Sequence, residues 1–223
     1  MPTTLVIGAS RGIGLELARQ AVAAGERVIA TARDDVGLER LRALGAQALR
    51  VDVAEPASVS GLAWQLDGEK IDTAWHVAGV MCSRADARQP PTQADFDRVM
   101  HANVLGAMQV IPQVAPLVEA ARGRMAFVSS AMGLIGEVAG ANAWLYRVSK
   151  AALNMAVASA QHAYPHAILV ALHPGWVQTD MGGAGAPVTP PDSAAGMRRV
   201  VATLGEADRG RFFHHDGTQP AGW

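Results

Sequence analysis

The sequence predicts an α/β protein: a single Rossmann-type, doubly wound domain over residues 1–223, with a seven-stranded, mostly parallel sheet and helices on both faces. Three observations carry that expectation. Short β-branched apolar runs alternate along the chain with longer segments of helical period. The first strand, Leu5-Val6-Ile7, is apolar at consecutive positions, as a strand covered on both faces must be. A glycine-rich turn follows it directly, and an apolar helix follows the turn.

Strands are read at residues 4–7, 27–31, 48–51, 71–77, 124–129, 168–172 and 211–214, and helices at 12–24, 36–44, 56–66, 93–121, 144–163 and 192–204. The first helix carries Leu15, Leu17, Ala18, Ala21 and Val22. In the second, the stripe Leu38, Leu41, Leu44 stops at Gly45, a C-terminal cap residue. Thr92, with Asp95 three residues later, opens the long helix in the manner of a capping box, and that helix is expected to bend near Asn103. In such a sheet the site lies beyond the carboxyl ends of the strands.

Composition narrows the function classes. Lys and Arg total 19 against 20 Asp and Glu, a net charge of −1, and no basic run exceeds two residues, which argues against nucleic-acid or anionic-membrane surfaces. No apolar run approaches the length of a membrane span, and the polar start Met1-Pro2-Thr3-Thr4 is not that of a secretory leader. Cys82 is alone and cannot close an intramolecular disulfide, so a reducing cytoplasm is the expected location. Lysines are only Lys70 and Lys150, and tyrosines only Tyr146 and Tyr164.

The turn after the first strand reads Gly8-Ala9-Ser10-Arg11-Gly12-Ile13-Gly14. Glycines there let the backbone approach a pyrophosphate, whose charge meets free N–H groups and the positive end of the helix dipole. Any α/β protein can use a tight glycine turn, but its place after the first strand of a doubly wound pattern favours a dinucleotide. The second strand ends Ala30-Thr31-Ala32-Arg33 with no acid to bond a ribose 2′-hydroxyl, and Asp34 and Asp35 fall where a helix cap belongs. Arg33, with Arg11 as a second clamp, suits a 2′-phosphate, so NADP(H) is expected over NAD(H); the alternative for Arg33 is a solvated surface residue.

Tyr146 and Lys150 stand four apart at the start of a helix, on one face. A phenol is a poor acid–base group at neutral pH, and a neighbouring ammonium favours its phenolate. With two residues of each type the chance occurrence of this spacing is about 0.02 per chain. Ser130, at the end of the fifth strand, offers a hydroxyl to a substrate carbonyl, or is a strand-end turn serine.

These residues resemble the short-chain dehydrogenase/reductase family over essentially the whole chain. Its turn motif matches Gly8, Gly12 and Gly14; its acid after the third strand matches Asp52 of Asp52-Val53; its signature after the fourth strand appears as His76-Val77-Ala78-Gly79; its mid-helix asparagine is Asn103. The serine, tyrosine and lysine are Ser130, Tyr146 and Lys150, and His173-Pro174-Gly175-Trp176-Val177-Gln178-Thr179 looks like the loop that packs the nicotinamide, with Pro174, Gly175, Val177 and Thr179 as contacts. The resemblance implies hydride exchange with a carbonyl held by Ser130 and Tyr146, a proton passed by Tyr146, Lys150 lowering its pKa and holding the ribose, and Asn103 placing a relay water. It also implies a homodimer or homotetramer. Ile7 replaces a threonine that often ties the glycine turn to the Ala78-Gly79 segment, and His76 and Val77 replace two asparagines. Ser130 and Tyr146 are 16 apart rather than 13, which, with the ending Asp216-Gly217…Trp223, resembles the C-factor subgroup.

Adjacent His214 and His215 alternate across a strand, so no metal site is expected. His173 reads as a satisfied loop histidine, Cys82 as a residue near the crevice without the marks of a nucleophile, and Met155, Ala156, Ala158 and Ala160 as packing or a subunit face. The short Gly-, Ala- and Pro-rich stretch 181–191 suggests a small mobile lid. The expected function is reversible hydride transfer between NADP(H) and a carbonyl or secondary alcohol. The alternative is a dinucleotide-binding signalling or regulatory protein with vestigial catalysis.

Overall fold

The computed structural model describes residues 1–82 and 85–223. Seven strands, β1 (Thr3–Ile7), β2 (Arg27–Ala32), β3 (Gln47–Arg50), β4 (Thr73–His76), β5 (Arg124–Val128), β6 (Ile168–His173) and β7 (Phe212–His214), form one sheet in the order β3-β2-β1-β4-β5-β6-β7. Every pairing is parallel, so the sheet is wholly rather than mostly parallel. All five residues of β1 are buried, as its unbroken apolar run requires.

Helices α1 (Gly12–Ala23), α2 (Asp35–Ala43) and α8 (Pro190–Thr203) accompany a core of Val6, Leu17, Trp75 and Val170. A second core of Leu5, Ile7, Phe127 and Leu169 lies with α3 (Pro56–Ser60), α4 (Leu62–Gln65), α6 (Gly106–Ala120) and α7 (Trp144–Gln161). Asp34 caps α2 by accepting from Gly37 N, and Thr92 caps α5 (Gln93–Met100) by accepting from Asp95 N. The single helix expected at 56–66 is broken at Gly61 into α3 and α4. Between α5 and α6 the chain widens into a π-turn at His101–Leu105, which puts the expected bend at Asn103. α6 continues through Pro112 and Pro116 because both lie on its exposed face, where carbonyls freed of their helical partners meet water.

The absent threonine at Ile7 is made good by backbone: the Ile7 carbonyl accepts from Val77 N (2.9 Å) and Ala78 N (3.2 Å). Among the described residues, no helix is long and apolar enough to cross a membrane, and no group of three His, Cys, Asp or Glu side chains is placed to hold a metal.

Candidate active site

The glycine turn is built for close approach. Gly8 has φ +85°, and a Cβ there would lie 2.7 Å from Ala78 N; one on Gly14 would lie 2.2 Å from the Gly8 carbonyl oxygen. Thr31 anchors the turn, its hydroxyl accepting from Gly8 N at 3.0 Å and its carbonyl from Ala9 N at 2.8 Å. Arg11 precedes α1 without a side-chain cap, and the first turn of α1 holds no acidic residue. Its amides therefore face the cradle of Ser10, Gly12 and Ile13 with no anion of the protein's own, which fits a pyrophosphate.

The two arginines expected at a 2′-phosphate differ in their surroundings. Arg33 is exposed, while the Arg11 guanidinium pairs with Asp180 at 2.7 Å, bridging the cradle to the loop after β6. Arg40 of α2, passed over in the sequence, donates to the Ser10 carbonyl, and Gly37 lets α2 sit against Ser10. Asp52 Oδ1 accepts from Ala54 N at 3.0 Å, and Val53 is buried against Gly106 at the start of α6.

Ser130, Tyr146 and Lys150 converge beyond the carboxyl end of β5, all buried. Lys150 Nζ donates to the Val128 carbonyl at 2.9 Å and lies 5.6 Å from the centroid of the Tyr146 ring. A Cβ on Gly79 would fall 3.2 Å from Asn103 Oδ1 and 3.6 Å from Lys150 Nζ, so the Ala78-Gly79 segment lies between the two. The Asn103 amide makes three hydrogen bonds: Oδ1 accepts from Val80 N (2.7 Å), and Nδ2 donates to the Val80 carbonyl (2.9 Å) and Ser149 Oγ (3.0 Å). Its side chain is thus a clasp between the loop after β4 and α7.

Burial pushes the Tyr146 phenol up to about 12, opposed by a hydrogen bond with Ser130. The ammonium faces the ring and a carbonyl, and burial lowers Lys150 itself to about 8. His76 is held to about 3, by burial first and then by the charge of Lys150. Its ring stacks on Phe127, and neither nitrogen has a hydrogen-bond partner among the described residues. His173 is lowered to about 4, chiefly by burial, and its Nδ1 likewise has no such partner, so it is not the satisfied histidine the sequence suggested.

Both imidazoles hold a proton more weakly in the folded chain than at the ordinary 6.5. Below that value the unfolded chain binds the extra protons, so stability falls as pH drops from 6.5 towards 4 and is intact above it. Thermal midpoints should therefore decline across this interval. His76→Phe should remove about one proton's worth of the slope.

Several hydrogen bonds tie the loop after β6 to itself and to α8. Gly175 has φ +86°, and the Pro174 carbonyl accepts from the buried hydroxyl of Ser193 at 2.7 Å. Val177 is buried and bridges Val188. Trp176 Nε1 donates to the Gly182 carbonyl (2.8 Å) and Gln178 Nε2 to that of Ala186 (2.9 Å). Thr179 packs over the cradle, its methyl 3.3 Å from where a Gly12 Cβ would be. A cavity of about 170 Å³ opens between the segment holding Cys82, Pro90 and Pro91 and the residues Trp144 and Leu145 just before Tyr146.

Three supporting residues escaped the sequence reading. Ser129 Oγ donates to Asn154 Oδ1 (2.5 Å), Asn154 Nδ2 to the Gly133 carbonyl (3.3 Å), and Ser149 Oγ to the Tyr146 carbonyl (2.8 Å), fixing the strand end against α7.

Comparison with known proteins agrees with this geometry. The family model described as short chain dehydrogenase matches residues 2–187. The C-signal protein of Myxococcus xanthus is 42% identical over 146 residues, 64% of this chain and 86% of that one. A 1-hydroxy-2-glutathionyl-2-methyl-3-butene dehydrogenase of Rhodococcus sp. strain AD45 is 34% identical over 229 residues, covering 98% of both chains. The carbonyl reductase of Pseudomonas aeruginosa PAO1, solved in complex with NADP, superposes with a TM-score of 0.87 at 31% identity over 100% of both chains. A Rossmann sheet, a glycine cradle and a Ser, Tyr and Lys group at the carboxyl edge thus accompany a match over most of the sequence, and the chain belongs to the short-chain dehydrogenase/reductase family.

Proposed function

We propose that this oxidoreductase is an NADP(H)-dependent carbonyl reductase, reversibly an alcohol dehydrogenase. The observation that carries the reading is the meeting of Ser130, Tyr146 and Lys150 beside the glycine cradle. A bound nicotinamide would supply or accept the hydride at the carbonyl carbon. Ser130 and Tyr146 hold the carbonyl oxygen, and Tyr146 passes its proton to that oxygen as it becomes an alkoxide. A phenol near 12 is protonated at neutral pH, and an alkoxide is a far stronger base than a phenolate, so the transfer runs downhill towards reduction. Lys150 would hold the ribose hydroxyls of the nicotinamide half. Asn103 keeps Val80 and Ser149 in register.

The cradle, from Gly8 and Ser10 to Gly14, takes the pyrophosphate; Asp52 and Val53 border the adenine; Pro174, Gly175, Val177 and Thr179 cover the nicotinamide side. The absence of an acid at the end of β2, with Arg33 beside it, supports NADP(H). Arg33→Ala should raise the KM for NADPH about tenfold and leave that for NADH within about twofold. Initial rates with each cofactor check this, and a wild type that prefers NADH would sink the 2′-phosphate argument.

Exposed Met108 on α6 and Val148 and Met155 on α7 support a homodimer or homotetramer through those helices. The lone cysteine supports a cytoplasmic setting. The deciding experiment mixes purified protein and NADPH with ketones, aldehydes, quinones and glutathionyl carbonyls while following NADPH absorbance. Turnover that Tyr146→Phe abolishes establishes the reading. NADPH binding without oxidation on any substrate, and a cellular phenotype indifferent to Tyr146→Phe, would favour the regulatory alternative suggested by the C-signal likeness.

A further inference from the structure

An ion pair joins the glycine cradle to the loop after β6. Arg11 Nη1 donates to Asp180 Oδ2 at 2.7 Å, across 169 residues of chain. Both backbones are set locally. Arg11 is the extended residue (φ −160°) before α1, and the Ser10 carbonyl beside it accepts from Arg40. Asp180 lies in a turn closed by Gly183 N donating to the Thr179 carbonyl (2.8 Å) and Gly182 N to Thr179 Oγ1 (3.2 Å). Thr179 also meets the cradle, its methyl 3.3 Å from where a Cβ on Gly12 would be, so two consecutive residues of the loop face two consecutive residues of the turn.

Deeper in the molecule the same two segments lead into elements joined by core. Leu17 and Ala18 of α1 share the first core with Ala194 and Met197 of α8, and Gln20 Nε2 donates to the Pro191 carbonyl at 3.0 Å. The join at the rim is of another kind, because the Arg11 and Asp180 side chains are 69% and 77% exposed. A pair in water is weak and opens without disturbing a core. Its charges also cancel where that matters. The cradle turns amides and the positive end of α1 towards an anion, and a lone carboxylate at the rim would repel that anion. Paired with Arg11, Asp180 adds no net charge there.

We propose that Asp180 is a positioning residue for the cofactor: by pairing with Arg11 it fastens the loop after β6 to the glycine cradle, and the pair opens before a dinucleotide is released. The release role rests on the dinucleotide-binding reading of the cradle; the fastening does not. Asp180 acts through the loop, so its effect is the same on NADPH and NADH. Competition between Asp180 and a 2′-phosphate for Arg11 would have the opposite sign, and on NADPH alone.

The test measures stopped-flow release of NADPH and of NADH from the whole chain, with amide hydrogen exchange on the same proteins without cofactor. It compares wild type, Asp180→Asn, Asp180→Glu, Arg11→Gln and the double variant of Arg11→Gln with Asp180→Asn. Asp180→Asn should release both cofactors about fourfold faster, the size an exposed pair permits, and exchange at Gly182 and Gly183 should quicken about threefold. Asp180→Glu, which keeps the charge, should recover most of both effects. In 1 M salt, where the screening length falls to about 3 Å, wild type should release as fast as Asp180→Asn. In the Arg11→Gln background Asp180→Asn should add nothing. Unchanged release of both cofactors overturns the proposal, as does an equal acceleration in the Arg11→Gln background. Tighter binding of NADPH with NADH unmoved overturns it in favour of competition for Arg11. A wild type that binds neither cofactor overturns the dinucleotide reading and the release role with it; faster exchange in Asp180→Asn then still upholds the fastening, and unchanged exchange removes it.

Discussion

Tyr146→Phe should lower kcat by about a thousandfold or more while leaving the NADPH dissociation constant within about threefold of wild type. The substitution deletes one oxygen and keeps the ring on which Lys150 rests, so fold and cofactor cradle are untouched. What is lost is the buried acid beside Ser130. Tyr164, three residues past the end of α7 and packed against the second core, is the control: Tyr164→Phe should not alter turnover. The two reaction directions should also differ in pH dependence. Reduction needs the phenol protonated, which a value near 12 secures across the neutral range, so its rate should be flat through neutrality. Oxidation needs the phenolate as base and should climb with pH, about tenfold per unit where no other group intervenes. Stopped-flow binding and steady-state rates in both directions check these outcomes. Unaltered turnover in Tyr146→Phe would remove the assigned proton donor.

What the sequence made legible was local. The glycine turn, the Tyr146 and Lys150 spacing and the bend at Asn103 are set by neighbours within one or two turns of chain, and each stands where expected. The split at Gly61 was missed because the apolar period runs across it, whereas the backbone needs only one weak position to part a helix this short. What the periodicity could not convey was side-chain commitment across the fold. Asn103 is engaged by Val80 and by Ser149, 46 residues away, and Arg11 by Asp180, 169 residues away. The bonds from Trp176 and Gln178 to the carbonyls of Gly182 and Ala186 are likewise ones that no composition reveals. The ionisation of Tyr146 is likewise not a local property. Helix geometry puts an ammonium one turn away, but the balance depends on how much water both groups lose, and that is a property of the packed core.

That same packing makes Lys150 a residue retained against stability. Its ammonium sits among Tyr146, Gly79 and the Val128 carbonyl, and burial lowers it from 10.5 to about 8. Below pH 8 the folded protein carries a desolvated charge worth about 3 kcal/mol, by the constant of 1.36 kcal/mol per unit. Lys150→Met keeps the length of the side chain and removes the charge, at the cost of about 1 kcal/mol for an unpaired Val128 carbonyl. The variant should therefore unfold about 5 °C higher than wild type at pH 7, a net gain of about 2 kcal/mol in a chain of this size. Between pH 8 and 10.5 the unfolded wild type keeps a proton the folded form has released, so wild-type stability rises with pH and the difference closes. Activity moves the other way. On the proposed role of Lys150 at the cofactor ribose, kcat/KM should fall at least about a hundredfold. Melting curves from pH 7 to 10.5, read beside turnover, check both halves. A Lys150→Met variant that melts below wild type at pH 7 would mean that the lysine's bond to Val128 outweighs its desolvation, and the site would then be stabilised by its chemistry rather than strained by it.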